Sequence, residues 1–505
     1  MKKLSVVHNT TISYLGQAYT LLVGILIMPF YLGHLGAEVY GLIGFYAVLQ
    51  AWLTLLDAGM SPSLVREIAH HQGSARQLRK SGWLLRSFEL IFVPLALVCV
   101  LGVWLASPWI AGQWLNAQHL APQTLAHCVA LMGVMVALRL YATLYKSGLQ
   151  GLELHAWLNA ANVLIATLRY FGGLGLVAWV SQDPIVFFQF QVAVALLETL
   201  IFAVKAWRML PAPHWYSGFN QALIKPVLPF AASLSLSSVL WILLTQLDKV
   251  LLSSHLTLKD YGYFSLVALI STGIIMLINP LVQTLLPRMT ALMAEGRDAD
   301  MRRLYLDAHR FIATFIVPLS AVIALHGDAL VFAWSGDRAA AHWVGPVLFW
   351  YALGSGILSL SGFQFYLQYA YGRVHLHLWY SLASAVVTVP VLVVAVQFHG
   401  ALGAAIAWFA LRLVSFAFWP AFIHRRLAPG LHRQWLHDVL RISLMSALGL
   451  AVTQPLVQAM AGDNRLQTFL ALALCGLISL LLVAGSHRPS LQRVLLIFNR
   501  VSAQR

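Results

Sequence analysis

The sequence predicts an all-α polytopic membrane protein with about 14 transmembrane helices, arranged as two six-helix lobes related by an internal parallel repeat, with two extra C-terminal helices. Three observations predict it. Hydrophobic residues make up 60% and charged residues 10% of the 505, against roughly 25% charged in an average soluble domain. Apolar stretches long enough to cross a bilayer as helix, about 20 residues each, recur along the whole chain. The construction of the first two stretches returns about halfway along, as in a membrane protein built from two homologous halves. Backbone groups in lipid must bond internally, which leaves helices or closed barrels. The alternating segments of about ten residues that a barrel needs do not appear.

The opening stretch, Thr10 to Glu67, sets the pattern. Two apolar segments flank the turn His34-Leu35-Gly36-Ala37-Glu38-Val39-Tyr40-Gly41, and the second ends in Asp57-Ala58-Gly59, Pro62 and Arg66-Glu67. His255-Leu256, four residues and Tyr261-Gly262 repeat His34-Leu35, four residues and Tyr40-Gly41 at an offset of 221. Each copy continues into an apolar span, a proline and an arginine: Pro62 and Arg66, then Pro287-Arg288. Each half has an even number of spans and starts on the same side, so the lobes should be parallel.

In order, the expected spans are 10–31, 40–64, 83–107, 123–145, 157–180, 185–205, 226–248, 262–286, 309–333, 344–369, 377–398, 403–423, 440–460 and 466–485. Connections such as Ser181-Gln182-Asp183-Pro184 and His399-Gly400-Ala401 force antiparallel neighbours. The expected domains are an N-terminal lobe (1–205), a basic, Pro-rich linker (206–225), a C-terminal lobe (226–423), and the last two spans with a basic tail (424–505). Cys99, Cys128 and Cys475 all fall in apolar spans, and their odd number argues against a disulfide framework. The apolar stretch after Lys2-Lys3 is too long for a signal peptide and has no small-residue cleavage pattern, so it is helix 1.

The basic residues orient the chain. With the amino terminus in the cytoplasm, 25 of the 32 lysines and arginines lie on the cytoplasmic side. Lys249, Lys259, Arg338 and Arg465 fall on the other side, and Arg139, Arg169 and Arg412 lie within spans. This is a positive-inside pattern with both termini cytoplasmic. It accounts for the net charge of +15 through loops that face anionic lipid, and no soluble domain exists to form a nucleic-acid groove. No loop is long enough for a catalytic domain. There is no H-E-x-x-H, P-loop or C-x-x-C, so an enzyme and a primary ATP-driven pump are both disfavoured. Nothing in the sequence asks for a cofactor or a metal. Two segments, Met289 to His309 and Ser490 to Arg505, have the amphipathic pattern of helices lying in the headgroup region.

Charges inside spans are costly unless they face a cavity or a partner, so function is sought there. Arg169 is near the middle of span 5, with Asn162 seven residues earlier on the same face and Asn159 three before that. Arg412 is near the middle of span 12, with Trp408 at i−4, Ser415 at i+3 and Trp419 at i+7. Arg139 is closer to the cytoplasmic end of span 4. Guanidinium suits phosphate through its bidentate fork, while tryptophan and asparagine suit a sugar. If the lobes face one another, these arginines line both walls of one cavity. The structural alternative pairs them with the acids Glu89 (span 3) and Glu198 (span 6), or lets Arg139 snorkel. Those acids are equally candidates to carry a coupling proton. Asp57, Asp248 and Asp328 lie nearer span ends, where capping is the favoured role. Asn279-Pro280 is the clearest hinge candidate among the span prolines.

Asn9, Gly16-Gln17, Pro29, Leu35-Gly36, Tyr40-Gly41, Asp57-Ala58-Gly59 and Arg66-Glu67 resemble the amino-terminal pattern of the polysaccharide transporter family. These are the Wzx-type oligosaccharide flippases of the multidrug/oligosaccharidyl-lipid/polysaccharide superfamily. Asp248 followed by Tyr261-Gly262 resembles the seventh-helix region of that family. The resemblance is firm over the first seventy residues or so and weaker over 226–290. It implies a multi-pass flippase of the bacterial inner membrane. Such a protein carries an undecaprenyl-pyrophosphate-linked oligosaccharide, of O-antigen or exopolysaccharide type, to the periplasmic leaflet by alternating access. The implied partners are that substrate, membrane lipids and other polysaccharide-assembly proteins, with no nucleic acid. Two alternatives stand beside it. A cation-coupled multidrug exporter of the same superfamily is disfavoured because span 1 holds no acid. A membrane polymerase or ligase is disfavoured by the short outer loops.

Overall fold

The computed structural model describes residues 6–71, 75–210, 219–460, 462 and 464–486, without the side chains of 6–15, 75–76 and 279–284. The Ser490 to Arg505 segment and the centre of the linker, 211–218, lie outside the described residues, as do the side chains of Asn9 and of Asn279-Pro280. The chain forms two compact units, 1–262 and 263–505.

The first unit contains α1 (Val6–Leu53), α2 (Met60–His71), α3 (Ala75–Trp109), α4 (Pro122–Gly151), α5 (His155–Thr167), α6 (Gly173–Trp179), α7 (Pro184–Met209), α8 (Gln221–Ile224), α9 (Leu228–His255) and the start of α10 (Leu258–Met276). The second contains the rest of α10, α11 (Asn279–Ala294), α12 (Asp298–Leu325), α13 (Gly327–Ser335), α14 (Arg338–Ser361), α15 (Phe363–Ala370), α16 (His375–Leu427), α17 (Leu431–Met460) and α18 (Arg465–Ser486). The fold is all-α.

Among the described residues, 11 helical runs are long and apolar enough to cross a membrane. Two of them are double. Gly16–Asp57 turns at Gly36 (φ 78°), and His375–Leu427 turns at Gly400 (φ 55°). Both lie where the short connections are expected, and both need glycine's freedom at positive φ. With these runs counted twice, and α10–α11 in the place of the eighth span, the architecture agrees with about 14 spans. Helix starts follow the local sequence. Pro122 and Pro184 occupy first-turn positions where no N–H is required. Asp183 and Asp337 cap α7 and α14 by accepting from the Ile185 and Ala340 amides, at 2.8 and 3.0 Å.

Two elements differ from the hydropathy reading. Where that reading carries span 2 on to 64, the helix closes in a 3₁₀ turn at Thr54–Asp57. Ala58 and Gly59 then take positive φ before α2 begins. A Cβ on Gly59 would meet the Ala231 carbonyl oxygen at 2.4 Å, so α9 passes too close for any larger residue. Met289 to His309 is likewise no single interfacial helix. The chain turns at Gly296 (φ 72°) between α11 and α12. Arg297 pairs there with Glu295 at 3.0 Å and Asp300 at 2.8 Å.

The two copies of the repeated turn share their detail. The His34 imidazole Nδ1 bonds the Phe30 carbonyl at 2.8 Å, and His255 Nδ1 bonds the Leu251 carbonyl at 2.8 Å. The copies also meet reciprocally. A Cβ on Gly41 would lie 2.3 Å from the Leu258 carbonyl oxygen, and one on Gly262 would lie 2.2 Å from that of Ala37. Ala37 and Leu258 are themselves 221 apart, so each copy presents to the other what it receives, as at a two-fold contact.

Apolar burial gains little in lipid, so close packing and polar contacts hold such helices together. In the first unit Leu64, Ile68, Leu85, Phe88, Leu144 and Phe202 form the buried contact of α2, α3, α4 and α7. In the second, Val322, Leu450, Val457, Leu472 and Cys475 join α12 to α17 and α18. Trp104, Trp179, Phe398 and Phe418 point outward, as lipid-facing side chains do.

Candidate functional site

Three cations of the first unit gather around one carboxylate. Glu198 on α7 is 4% exposed. Its Oε1 accepts from Lys146 Nζ on α4 at 2.5 Å, and its Oε2 pairs with the Arg169 guanidinium. Arg139, seven residues before Lys146 and so on the same face of α4, donates to Gln50 Oε1 and lies over the Tyr46 ring at 5.2 Å. The group therefore carries two positive charges beyond those its carboxylate neutralises. The Nε atoms of Arg139 and Arg169 are buried without a hydrogen-bond partner among the described residues.

Arg169 is presented by a π-helical turn, Leu168–Gly172, between α5 and α6. The extra residue frees backbone carbonyls from the helix ladder, a feature that recurs at functional sites. Side chains take up those carbonyls. The Tyr31 hydroxyl donates to the Tyr170 carbonyl at 2.8 Å, and Gln191 Nε2 reaches that of Arg169 at 3.4 Å. The Tyr19 hydroxyl bonds Thr167 Oγ1 at 2.7 Å, one turn below. The wide turn is thus fixed from α1 and α7, and with it the position of the guanidinium.

The other sequence-derived residues are distributed as follows. Asn159 donates within its own helix to the His155 carbonyl at 2.7 Å, and Asn162 is half-buried on α5. Glu89 is engaged apart from the cluster, with Arg86 at 2.8 Å and Trp207 Nε1 at 2.7 Å, and so ties α3 to α7. Asp248, 1% exposed on α9, has Lys249 Nζ at 3.4 Å. Asp57 accepts from the Ser61 amide at 3.1 Å and the Ser61 hydroxyl at 2.5 Å, and caps α2. In the second unit the Arg412 guanidinium lies over the Trp408 ring at 4.4 Å. Trp408 in turn stacks on Tyr351, centroids 5.8 Å apart. Ser415 bonds the Tyr380 hydroxyl, and Trp419 stacks on Tyr380 at 4.5 Å.

Lys146, Gln50 and Tyr46 belong to the cluster and were not singled out by sequence. Lys146 sits beyond the apolar window of span 4, among residues that read as loop. The helix runs on to Gly151 because its last turns pack on α2. The signal that would have found it is the seven-residue spacing to Arg139. Glu38, in the repeated turn, was also missed. It accepts from the Gln118, His119 and Leu120 amides at 2.9–3.1 Å, and its carboxylate holds that loop. Beside the cluster, where span 2 breaks, Thr54, Asp57, Ser61, Thr143, Ser147 and Gln150 line a cavity of about 420 Å³. Among the described residues, no group of three or more His, Cys, Asp or Glu side chains is placed to hold a metal ion.

A protein family described as "Polysaccharide biosynthesis protein" matches residues 6–293. Comparison with curated proteins finds no match. Among solved structures, lipid II flippase MurJ in an inward closed conformation aligns at a TM-score of 0.72 with 12% identity, over 96% of this chain and 99% of that one. An inward-facing multidrug resistance MATE family transporter of the MOP superfamily aligns at 0.66 with 14% identity, over 82% of this chain and 98% of that one. At such identities the likeness is one of fold.

Proposed function

Because the chain belongs to the polysaccharide biosynthesis protein family, we propose that it is a flippase for a pyrophosphate-linked oligosaccharide, of the undecaprenyl-carried O-antigen or exopolysaccharide kind. It works in the bacterial inner membrane, with both termini cytoplasmic, and moves its substrate to the periplasmic leaflet by alternating access. It is a transporter and performs no covalent chemistry. The observation that carries this reading is the surplus of positive charge at Arg139, Lys146 and Arg169 around the single carboxylate of Glu198.

Charge at this depth is expensive unless it has a task. A pyrophosphate supplies several anionic oxygens that match a guanidinium fork and an ammonium. On binding, these oxygens add to Glu198 as acceptors and balance the two surplus positive charges of Arg139, Lys146 and Arg169, so that no buried charge is left without a partner. The same sign disfavours a cationic drug, which the cluster would repel.

The test is complementation of a deletion strain. Arg169→Met and Lys146→Met each keep one cation on Glu198, so the protein should reach the membrane at normal abundance. Surface polysaccharide should fall at least about tenfold, the effect of losing one charge-assisted contact of roughly 1.5–3 kcal/mol. Arg169→Lys should recover part of it, having charge without the fork. Full polysaccharide in both methionine variants would show the cations to be structural.

A further inference from the structure

The cavity at the break in span 2 has a hydrogen-bonding character that its residue names do not reveal. Thr54 Oγ1 donates to the Ala51 carbonyl at 2.6 Å, and Thr143 Oγ1 donates to the Arg139 carbonyl at 2.9 Å. Ser61 Oγ donates to Asp57 Oδ1 at 2.5 Å. Each of these hydroxyls has therefore spent its one proton inside the protein and has only lone pairs left to offer. Asp57 is a further acceptor. The wall sets these acceptors beside the apolar side chains of Pro62, Val65 and Leu140, with the Ser147 hydroxyl and the Gln150 amide as sources of donors, and it carries one negative charge. A ligand that fits it brings an apolar face together with several donors, and no anionic group beside Asp57.

Position narrows the ligand further. Gln50, which holds Arg139, and Thr54, which lines the cavity, are one turn apart on the same face of the chain. Arg139 and Thr143 are likewise one turn apart on α4, about 6 Å along the axis. Lys146 and Ser147 are adjacent. The cation cluster and the cavity are therefore successive parts of one polar seam between α4 and the end of span 2. About 420 Å³ lies in the usual range for a small ligand, roughly 300–1,000 Å³.

We propose that this cavity receives the sugar attached directly to the pyrophosphate, and that it selects a neutral, hydroxyl-bearing sugar over a uronic acid. The proposal rests on the reading that the cation cluster binds the pyrophosphate. Sugar hydroxyls donate to Asp57, Thr54, Thr143 and Ser61, while a uronate carboxylate would face Asp57 and be repelled.

The test uses the purified full-length chain in lipid nanodiscs and three probes. These are a short-chain prenyl pyrophosphate, the same lipid carrying N-acetylglucosamine, and the same lipid carrying glucuronic acid. The neutral sugar should raise affinity about tenfold over the bare lipid, as one to two net hydrogen bonds would, and the glucuronyl lipid should gain nothing. In Thr143→Val, and independently in Asp57→Asn, the ratio of the first two affinities should fall to within about twofold. Asp57→Asn should also admit the glucuronyl lipid. A ratio that stays near tenfold in both variants overturns the proposal. So does a sodium titration showing that Asp57→Asn abolishes cation binding with the sugar ratio unchanged, which would make the cavity a cation site. If neither neutral nor bare lipid binds the wild type, the pyrophosphate reading fails on its own. The cavity is then judged by a Gln150→Cys variant, whose alkylation free N-acetylglucosamine should slow and glucuronate should not; equal rates overturn the proposal.

Discussion

Glu198 does the work of a resident anion. It is nearly fully buried and gives one oxygen to Lys146 and the other to Arg169. Removing one partner of a buried pair costs about 3–5 kcal/mol, because the remaining charge is stranded. Glu198→Gln strands two cations at once, whereas Arg169→Met leaves an intact Lys146–Glu198 pair. Thermal unfolding of the purified protein should therefore show a much larger loss for Glu198→Gln than for Arg169→Met, and millimolar pyrophosphate should recover part of the loss only in Glu198→Gln. Equal destabilisation of the two variants would mean that the cluster is not organised around this carboxylate. The cost of intramembrane charge made Arg169, Arg139 and Glu198 legible in the sequence. It did not identify which acid meets which base, since Glu89 stood as near in the sequence pattern and is taken instead by Arg86 and Trp207. Lys146 was hidden because hydropathy ends a span where the polar residues begin, and here packing on α2 prolongs the helix.

At the scale of elements, the repeated turn and the two irregular helices place the polar groups. The period of 221 was readable from His-Leu and Tyr-Gly. The reason for glycine was not, because it lies in the facing copy. A methyl group on Gly41 or Gly262 would collide with a carbonyl oxygen of the other turn at 2.2–2.3 Å, while one on Gly33 meets nothing within 4 Å. Gly41→Ala and Gly262→Ala should each lower the amount of folded protein recovered in detergent, with Gly33→Ala near wild type. Monodisperse Gly41→Ala at normal yield would show that the two turns do not bear on each other. The π turn that carries Arg169 and the 3₁₀ break at Asp57 both lie inside apolar runs. Periodicity does not mark them, since their cause is tertiary: the Tyr31 hydroxyl in one case and the approach of α9 in the other.

At the scale of the whole molecule, composition and span length were enough for the class of fold. Two glycine turns, together with the break between α10 and α11, account for the difference between 11 unbroken apolar runs among the described residues and about 14 spans. The family match ends at residue 293, close to where the sequence resemblance also fades, while the structural likeness to MurJ runs over nearly the whole chain. In the proposed function, positive charge at Arg139, Lys146 and Arg169 binds the phosphates of a lipid-linked sugar so that the molecule crosses the membrane. The most direct measurement reconstitutes the protein in liposomes loaded with a fluorescent prenyl-pyrophosphate sugar and follows its appearance in the outer leaflet. Wild type should accelerate that transfer, the Lys146→Met/Arg169→Met double variant should return it to within about twofold of protein-free liposomes, and a cationic dye should not be moved by either. Transfer at the wild-type rate in the double variant, or movement of the cationic dye in place of the lipid, would show that these cations do not bind the transported lipid.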